Sequence, residues 1–354
     1  MDRRYEFMRA STSRVVIDEG VEPLLKHLVR ELEPDGVVVL HDAQLPELAG
    51  RIARSLEASA RLSIPGGEAS KRLAVVGDLA RNVRLAGATR NTVLVAVGGG
   101  TITDLVGMLA AILLRGVPFV SCPTTTLAMC DAALGGRTGV DHCGQQNDLG
   151  AVHHAHLIAA DVEWLRTLPD EQFREGLIGA VVKAAALDPD RFARLEQLAP
   201  DLGARRPKAV VEAIDMAVAM TMALAQKGEG NAQRGLDFGH TVGQALESLA
   251  SGRLRRGTCI GLGMLVECRA AGVPEDVTRR LATLLGALGL PKTIPPAWAN
   301  ASSLWRLARS DRKAKHGSAV MCVPRAFGDC VDVELTEEAL STALRTLGQQ
   351  SAVQ

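Results

Sequence analysis

A chain of 354 residues is about two domains long at roughly 150 residues each. Its 40 basic and 40 acidic side chains cancel, which removes the global field that would draw a protein to nucleic acid or to an anionic membrane. With 47% hydrophobic and 23% charged residues the composition is that of an ordinary globular protein, and no apolar run reaches the ~18 residues of a bilayer span. Seven cysteines without a Cys-x-x-Cys pair read as free thiols in a reducing compartment. The charged start Met1-Asp2-Arg3-Arg4 has no apolar segment behind it, so a cytoplasmic protein is expected.

In chain order, residues 37–40 lead into His41-Asp42 and residues 91–97 lead into three glycines; each reads as a buried parallel strand ending in a ligand-facing loop. Residues 118–123 and 157–161 repeat the pattern, with helical periodicity between them over 45–56 and 69–86. This alternation predicts a doubly wound α/β domain over residues 1–166. From Thr167 the chain turns to long amphipathic runs rich in Ala, Leu and Met, at 208–226, 239–250 and 274–288, which predict a mostly α-helical domain over 167–354. Function is expected in the cleft between the two.

Gly98-Gly99-Gly100 is followed by Thr101-Ile102-Thr103-Asp104, which opens an apolar helix. Glycines let a diphosphate approach the backbone, and the amides of a helix start favour its charge. Three glycines also suit a plain tight turn. Two further features favour a dinucleotide: Asp42 at a strand end, placed for a ribose hydroxyl, and the polar loop Gly66-Gly67-Glu68 with Lys71.

More motifs follow in order: Arg115-Gly116, Pro123-Thr124-Thr125, Asp131, Gly135-Gly136, Thr138-Gly139-Val140, and Phe238-Gly239-His240-Thr241 extended through Gly243 and Glu247. With these the chain resembles the dehydroquinate synthase family, the sugar phosphate cyclases, over nearly its whole length. The resemblance implies an NAD-binding α/β domain, a helical C-terminal domain, an active site in the cleft and a homodimer. It assigns Asp42, Glu68, Lys71, Gly98, Gly99, Gly100, Asp104, Thr124, Thr125 and Asp131 to NAD. It makes Lys183, Arg234, His240, Arg256 and Lys313, again with Asp131, the catalytic candidates, and Arg115, Arg137, Asn147, Asp237 and Gln244 the substrate contacts. Members of the family oxidise a sugar-phosphate hydroxyl with NAD, eliminate phosphate, reduce the ketone and close a carbocycle by an aldol step. A divalent metal, usually zinc, held by one glutamate and two histidines, polarises the reacting oxygen.

At the metal positions the chain departs from the family. His240 matches the first histidine, but the run matching the second is Arg256-Gly257-Thr258-Cys259, and a guanidinium has no lone pair to donate. Three residues before Lys183, where the glutamate is expected, stands Ala180; Glu175 is five residues earlier on another helix face. Bound zinc is therefore not expected. Gln244 replaces a further histidine, Gln146 a lysine, Met220 another lysine, Arg137 a third, and Asp237 an asparagine that faces phosphate in the family. A carboxylate there repels a dianion. Arg256 either holds an anionic group of a ligand, pairs with Asp237, or is one solvated member of the basic run Arg253-Leu254-Arg255-Arg256.

The histidines of His153-His154-Ala155-His156 point different ways on a strand or turn, and the methionines and cysteines read as core. Three functions stay open. The first is a diverged, metal-independent cyclase-like enzyme that binds NAD, with Lys183 or His240 as base. The second is a pseudoenzyme acting as a binding partner. The third is an alcohol- or glycerol-dehydrogenase-like enzyme.

Overall fold

The computed structural model describes residues 12–143, 145–227, 235–309 and 318–350. Arg234 and Lys313, both expected at the active site, lie outside the described residues. The chain divides into two compact units. The first takes the described residues up to Thr124 together with Ala132–Trp164, and the second takes Thr125–Asp131 and the chain from Leu165 onward.

The first unit is built on a sheet of six strands, β1 (Arg14–Asp18), β2 (Gly36–Asp42), β3 (Ala60–Ile64), β4 (Thr92–Gly98), β5 (Phe119–Pro123) and β8 (Leu157–Asp161). All pairings in it are parallel, in the order β1-β8-β5-β4-β2-β3. Every residue of β4, β5 and β8 is buried, as continuous apolar runs require when helices cover both faces. The edge strands β1 and β3 are only partly covered, and their shorter, mixed sequences hide them from a search for apolar runs. Helices α1 (Leu25–Arg30), α2 (Pro46–Ser55), α3 (Leu73–Leu85) and α4 (Gly100–Ile112) connect the strands. After β3 the chain passes back over β2 to form β4, so the strand order reverses between β2 and β4. A hairpin of β6 (Arg137–His142) and β7 (Gln145–Val152) is a separate two-stranded sheet that the sequence did not announce.

The second unit holds α5 (Asp170–Gly176), α6 (Ile178–Leu187), α7 (Pro189–Gly203), α8 (Pro207–Lys227), α9 (His240–Ala250), α10 (Arg256–Ala270), α11 (Glu275–Ala287), α12 (Ala301–Ala308) and α13 (Glu337–Gln350). One antiparallel hairpin, β9 (Ala319–Ala326) with β10 (Asp329–Leu335), interrupts its helices. α7 starts as its sequence dictates: the Asp188 carboxylate accepts the amides of Asp190 and Arg191, with Pro189 at the first helical position. Thr125–Asp131 joins this unit because α5 and α6 pack directly on it. A side chain at Gly176 would come within 2.4 Å of the Leu127 amide nitrogen, and Gly179 lies against Cys130 and Asp131.

Glycine also sets the spacing of α9 and α10. A Cβ on Gly263 would lie 2.2 Å from the Gly239 carbonyl oxygen, and Gly239 itself adopts φ +79°, a conformation open to glycine at little cost. Two helices that begin with site residues are thereby held in direct backbone contact.

Candidate active site

In the first unit, the expected nucleotide residues gather at the C-terminal ends of the strands beside the order reversal, where doubly wound sheets take their ligands. β4 ends at Gly98, and α4 starts at Gly100 with no side chain capping its first turn. Those amides and the helix dipole are suited to a diphosphate. Asp42 ends β2; its Oδ1 accepts the Gln44 amide at 2.9 Å, and the backbone of Gly66 passes so close that a Cβ there would lie 2.7 Å from Oδ2. Glu68 accepts a hydrogen bond from Thr101 at 2.8 Å, and the Thr124 amide donates to the Gly98 carbonyl at 2.9 Å. Lys71 and Asp104 form an ion pair of 2.5 Å in which both side chains are largely buried. They brace the loop against α4, a role the sequence did not separate from cofactor contact.

Asp104 and Arg137 also line a small pocket, with room for about one water, together with Thr103, Ser121 and His153. The Ser121 hydroxyl there is buried and has no hydrogen-bond partner. An uncapped helix start, a glycine cradle around a carboxylate and an orphaned polar atom are features that fit a polar dinucleotide.

Arg115 is elsewhere. The thirteen residues of α4 carry the chain about 20 Å from Gly100 at 1.5 Å per residue, and Arg115 follows, exposed, at the N-terminal end of β5. The structure does not bring it to the strand ends that hold the other candidates. Asn147 is exposed on β7 at φ +52°, its amide donating to Asp141 at 2.8 Å. His153 Nε2 donates to the Val117 carbonyl at 2.9 Å, and its ring stacks on Phe119.

In the second unit, Lys183, Asp131, His240 and Arg256 come together. Asp131 lies on a single π-helical turn, Ala128–Ala132, an irregular backbone that re-aims side chains. Lys183, 2% exposed in α6, donates to Asp131 Oδ1 at 2.6 Å and to the Cys130 carbonyl at 2.9 Å. The Asp131 side chain is about half exposed, yet the groups packed around its carboxyl strip away enough water to raise it; the Lys183 ammonium, helped by His240 and Arg256, outweighs this and holds the group below the usual carboxylate range. The sequence makes Lys183 a candidate base; the geometry shows it as a hydrogen-bond donor to two oxygens.

His240 is the first residue of α9, and its Nδ1 meets the Phe238 carbonyl at 3.2 Å. A carbonyl only accepts, so Nδ1 carries a proton. Gln244 follows one helical turn later, on the same face. Arg256 is the first residue of α10, and its Nη1 meets Glu247 Oε2 of α9 at 3.2 Å. Asp237 stands on the short turn before α9.

Two carboxylates that the sequence did not assign stand at these helix starts. Glu267, fully buried in α10, accepts the amides of Gly239 and Val242 at 2.8 Å each and so caps α9 from its neighbour. The sequence signal was an acidic residue alone in the apolar run of α10. Glu175, at the end of α5, is packed against Gly257 in the first turn of α10, and its Oε2 is buried without a hydrogen-bond partner. Burial pushes its carboxyl up to about 7, against the opposing pull of Arg255 and the backbone amides of Gly257 and Thr258. The thiols of Cys130 and Cys259 are both pushed up to about 12 by burial, which removes them as nucleophiles near neutral pH.

For zinc the donor set does not fit. Ala180, His240 and Arg256 stand at the three expected positions, and only the imidazole has a lone pair to give. Among the described residues no group of three His, Cys, Asp or Glu side chains gathers as metal ligands would.

A doubly wound sheet with a glycine-rich turn at its reversal, followed by a helical unit with clustered ionisable groups, defines a nucleotide-dependent class of enzyme fold. Comparison with known proteins narrows it. Residues 61–175 match the model of the 3-dehydroquinate synthase N-terminal domain and residues 178–322 that of its C-terminal domain. A 3-dehydroquinate synthase of Pelobacter propionicus is 35% identical over 345 residues, covering 93% of this chain and 94% of that one. A 2-epi-valiolone synthase of Actinosynnema mirum is 33% identical, covering 94% and 91%. Among solved structures, a 2-epi-5-epi-valiolone synthase of Streptomyces hygroscopicus with NAD+ and Zn2+ bound superposes at a TM-score of 0.86 with 26% identity, covering 98% of this chain and all of that one. The chain belongs to the 3-dehydroquinate synthase family, the sugar phosphate cyclases.

Proposed function

We propose that this protein is an NAD-dependent enzyme of the sugar phosphate cyclase type that carries out its cyclisation, elimination or redox step on a small polar substrate without a zinc ion. The observation that carries this proposal is the cluster of Lys183, Asp131, His240 and Arg256, in which cations and one acid–base group surround a carboxylate while two of the family's metal donors are replaced. NAD would be held by Gly98, Gly99 and Gly100 at the start of α4, by Asp42 at the end of β2, and by the loop of Glu68 and Lys71 with Asp104, Thr124 and Thr125. When bound it supplies hydride acceptance and return.

The chain's own residues supply the rest. His240 Nε2 takes the proton of the reacting hydroxyl, since Nδ1 is committed to the Phe238 carbonyl. Lys183 orients Asp131 and adds positive charge. In the second unit, Asp237 and Gln244 give the substrate side a charge that differs from that of a phosphate-dianion site. A cytoplasmic homodimer is part of the proposal.

The test is phosphate release and carbocycle formation from a panel of phosphorylated ketoses and heptulosonates, with NAD, in the presence of either zinc or a chelator. Turnover that needs NAD and is indifferent to the chelator is expected. Turnover restored only by zinc would overturn metal independence. Nucleotide binding without turnover on any member of the panel would leave the protein a binding partner with the fold of an enzyme.

A further inference from the structure

Three positions in the second unit correspond to the donors that hold a metal in the family, and they are occupied by Ala180, His240 and Arg256. Ala180 is completely buried and offers no polar atom. The chain has not merely lost a ligand at the third position; it has placed a permanent cation there. Two independent contacts hold that cation. Glu247 pairs with the guanidinium at 3.2 Å, and the backbone of Glu175 packs directly against Gly257 in the first turn of α10, from which Arg256 projects. Gly257 allows this approach, since a Cβ on it would come 2.3 Å from the Glu175 carbonyl oxygen. Asp131 registers Arg256, His240 and Lys183 together, so the guanidinium belongs to the same cluster.

We infer that Arg256 takes the place of the metal: its anchored guanidinium is the cation that meets the anionic oxygens of the substrate. This rests on the proposed cyclase-type function. A metal ion polarises one oxygen as a point charge, whereas a guanidinium presents a planar fork that matches two oxygens of one carboxylate or phosphate. The ligand it selects is an oxyanion group, and the exchange of His for Arg changes what part of a substrate is gripped at this position.

The experiment uses the full chain saturated with NAD, with Co2+ alone as a metal probe and inorganic phosphate as an oxyanion probe. The native protein is expected to take up no stoichiometric Co2+. The Ala180→Glu/Arg256→His variant is expected to bind one Co2+ per chain with the visible absorption of a tetrahedral ion, and to lose it on further His240→Ala substitution. Because Ala180 is buried, Arg256→His alone is the second variant, expected to bind Co2+ more weakly through two imidazoles. Arg256→Gln is expected to lower the affinity for phosphate by about tenfold or more while NAD binding is unchanged. Native uptake of one Co2+ that His240→Ala abolishes would overturn the inference. So would unchanged phosphate binding in Arg256→Gln, or the failure of both Arg256→His variants to gain Co2+. NAD binding, measured in every sample, reports separately on the proposed function.

Discussion

Asp131 and Lys183 form one ion pair with unequal access to water: the lysine side chain is 2% exposed and the aspartate 49%. Breaking the pair is therefore not symmetrical. Asp131→Ala leaves a buried ammonium with only the Cys130 carbonyl as its described partner, at an expected cost of about 3 kcal/mol. Lys183→Met preserves volume and leaves a half-exposed carboxylate that water can solvate, at an expected cost of about 1 kcal/mol. Urea denaturation of the two variants measures the difference, and a larger loss in Lys183→Met would contradict it. Both residues were legible in the sequence as members of a motif, but their pairing was not. They are 52 positions apart, and no local pattern links a π-helical turn to the middle of a helix.

At the scale of elements, the site is assembled from helix starts. His240 and Arg256 each open a helix; Glu267 of α10 caps the first, and Glu175 of α5 is packed against the start of the second. Counting residues back from Lys183 reaches Ala180 within α6, but Glu175 belongs to α5, which ends at Gly176 before α6 starts in a new direction. A helical count holds only inside one helix, so the sequence could not show that Glu175 packs against the start of α10. Its raised carboxyl has a definite consequence for stability. The folded chain binds this proton more tightly than the unfolded chain, so the contribution of Glu175 is fully present below the ordinary glutamate value and is lost as pH rises toward about 7. Glu175→Gln, which mimics the protonated acid, is expected to gain stability relative to the native protein between pH 5 and pH 8. The gain is about 1–2 kcal/mol after allowing for partial solvent screening. Denaturation curves at the two pH values check this, and a gain that shrinks toward pH 8 would rule it out.

For the molecule as a whole, the proposed nucleotide site at the uncapped start of α4 and the carboxylate of Asp42 carries a consequence for stability. A ligand that binds the folded state at a hundred times its Kd adds about 2.7 kcal/mol by mass action. Saturating NAD is accordingly expected to raise the thermal midpoint of the native protein, with a smaller rise in Asp42→Ala; no rise in the native protein would remove the nucleotide from this fold. The amino-acid sequence by itself determined the doubly wound sheet, the helical second half and the identity of the residues at each motif, because buried parallel strands and amphipathic helices write their periods locally. The partly covered edge strands β1 and β3 and both hairpins escaped it, since their short mixed runs carry no such period. Tertiary structure alone decided that Thr125–Asp131 joins the second unit, that Arg115 ends up away from the glycine-rich turn, that Glu267 caps the helix His240 opens, and that Glu247 pairs with Arg256. These depend on groups of different elements meeting across packed glycines, and close packing of that kind is a property of surfaces that exist only once the chain has folded.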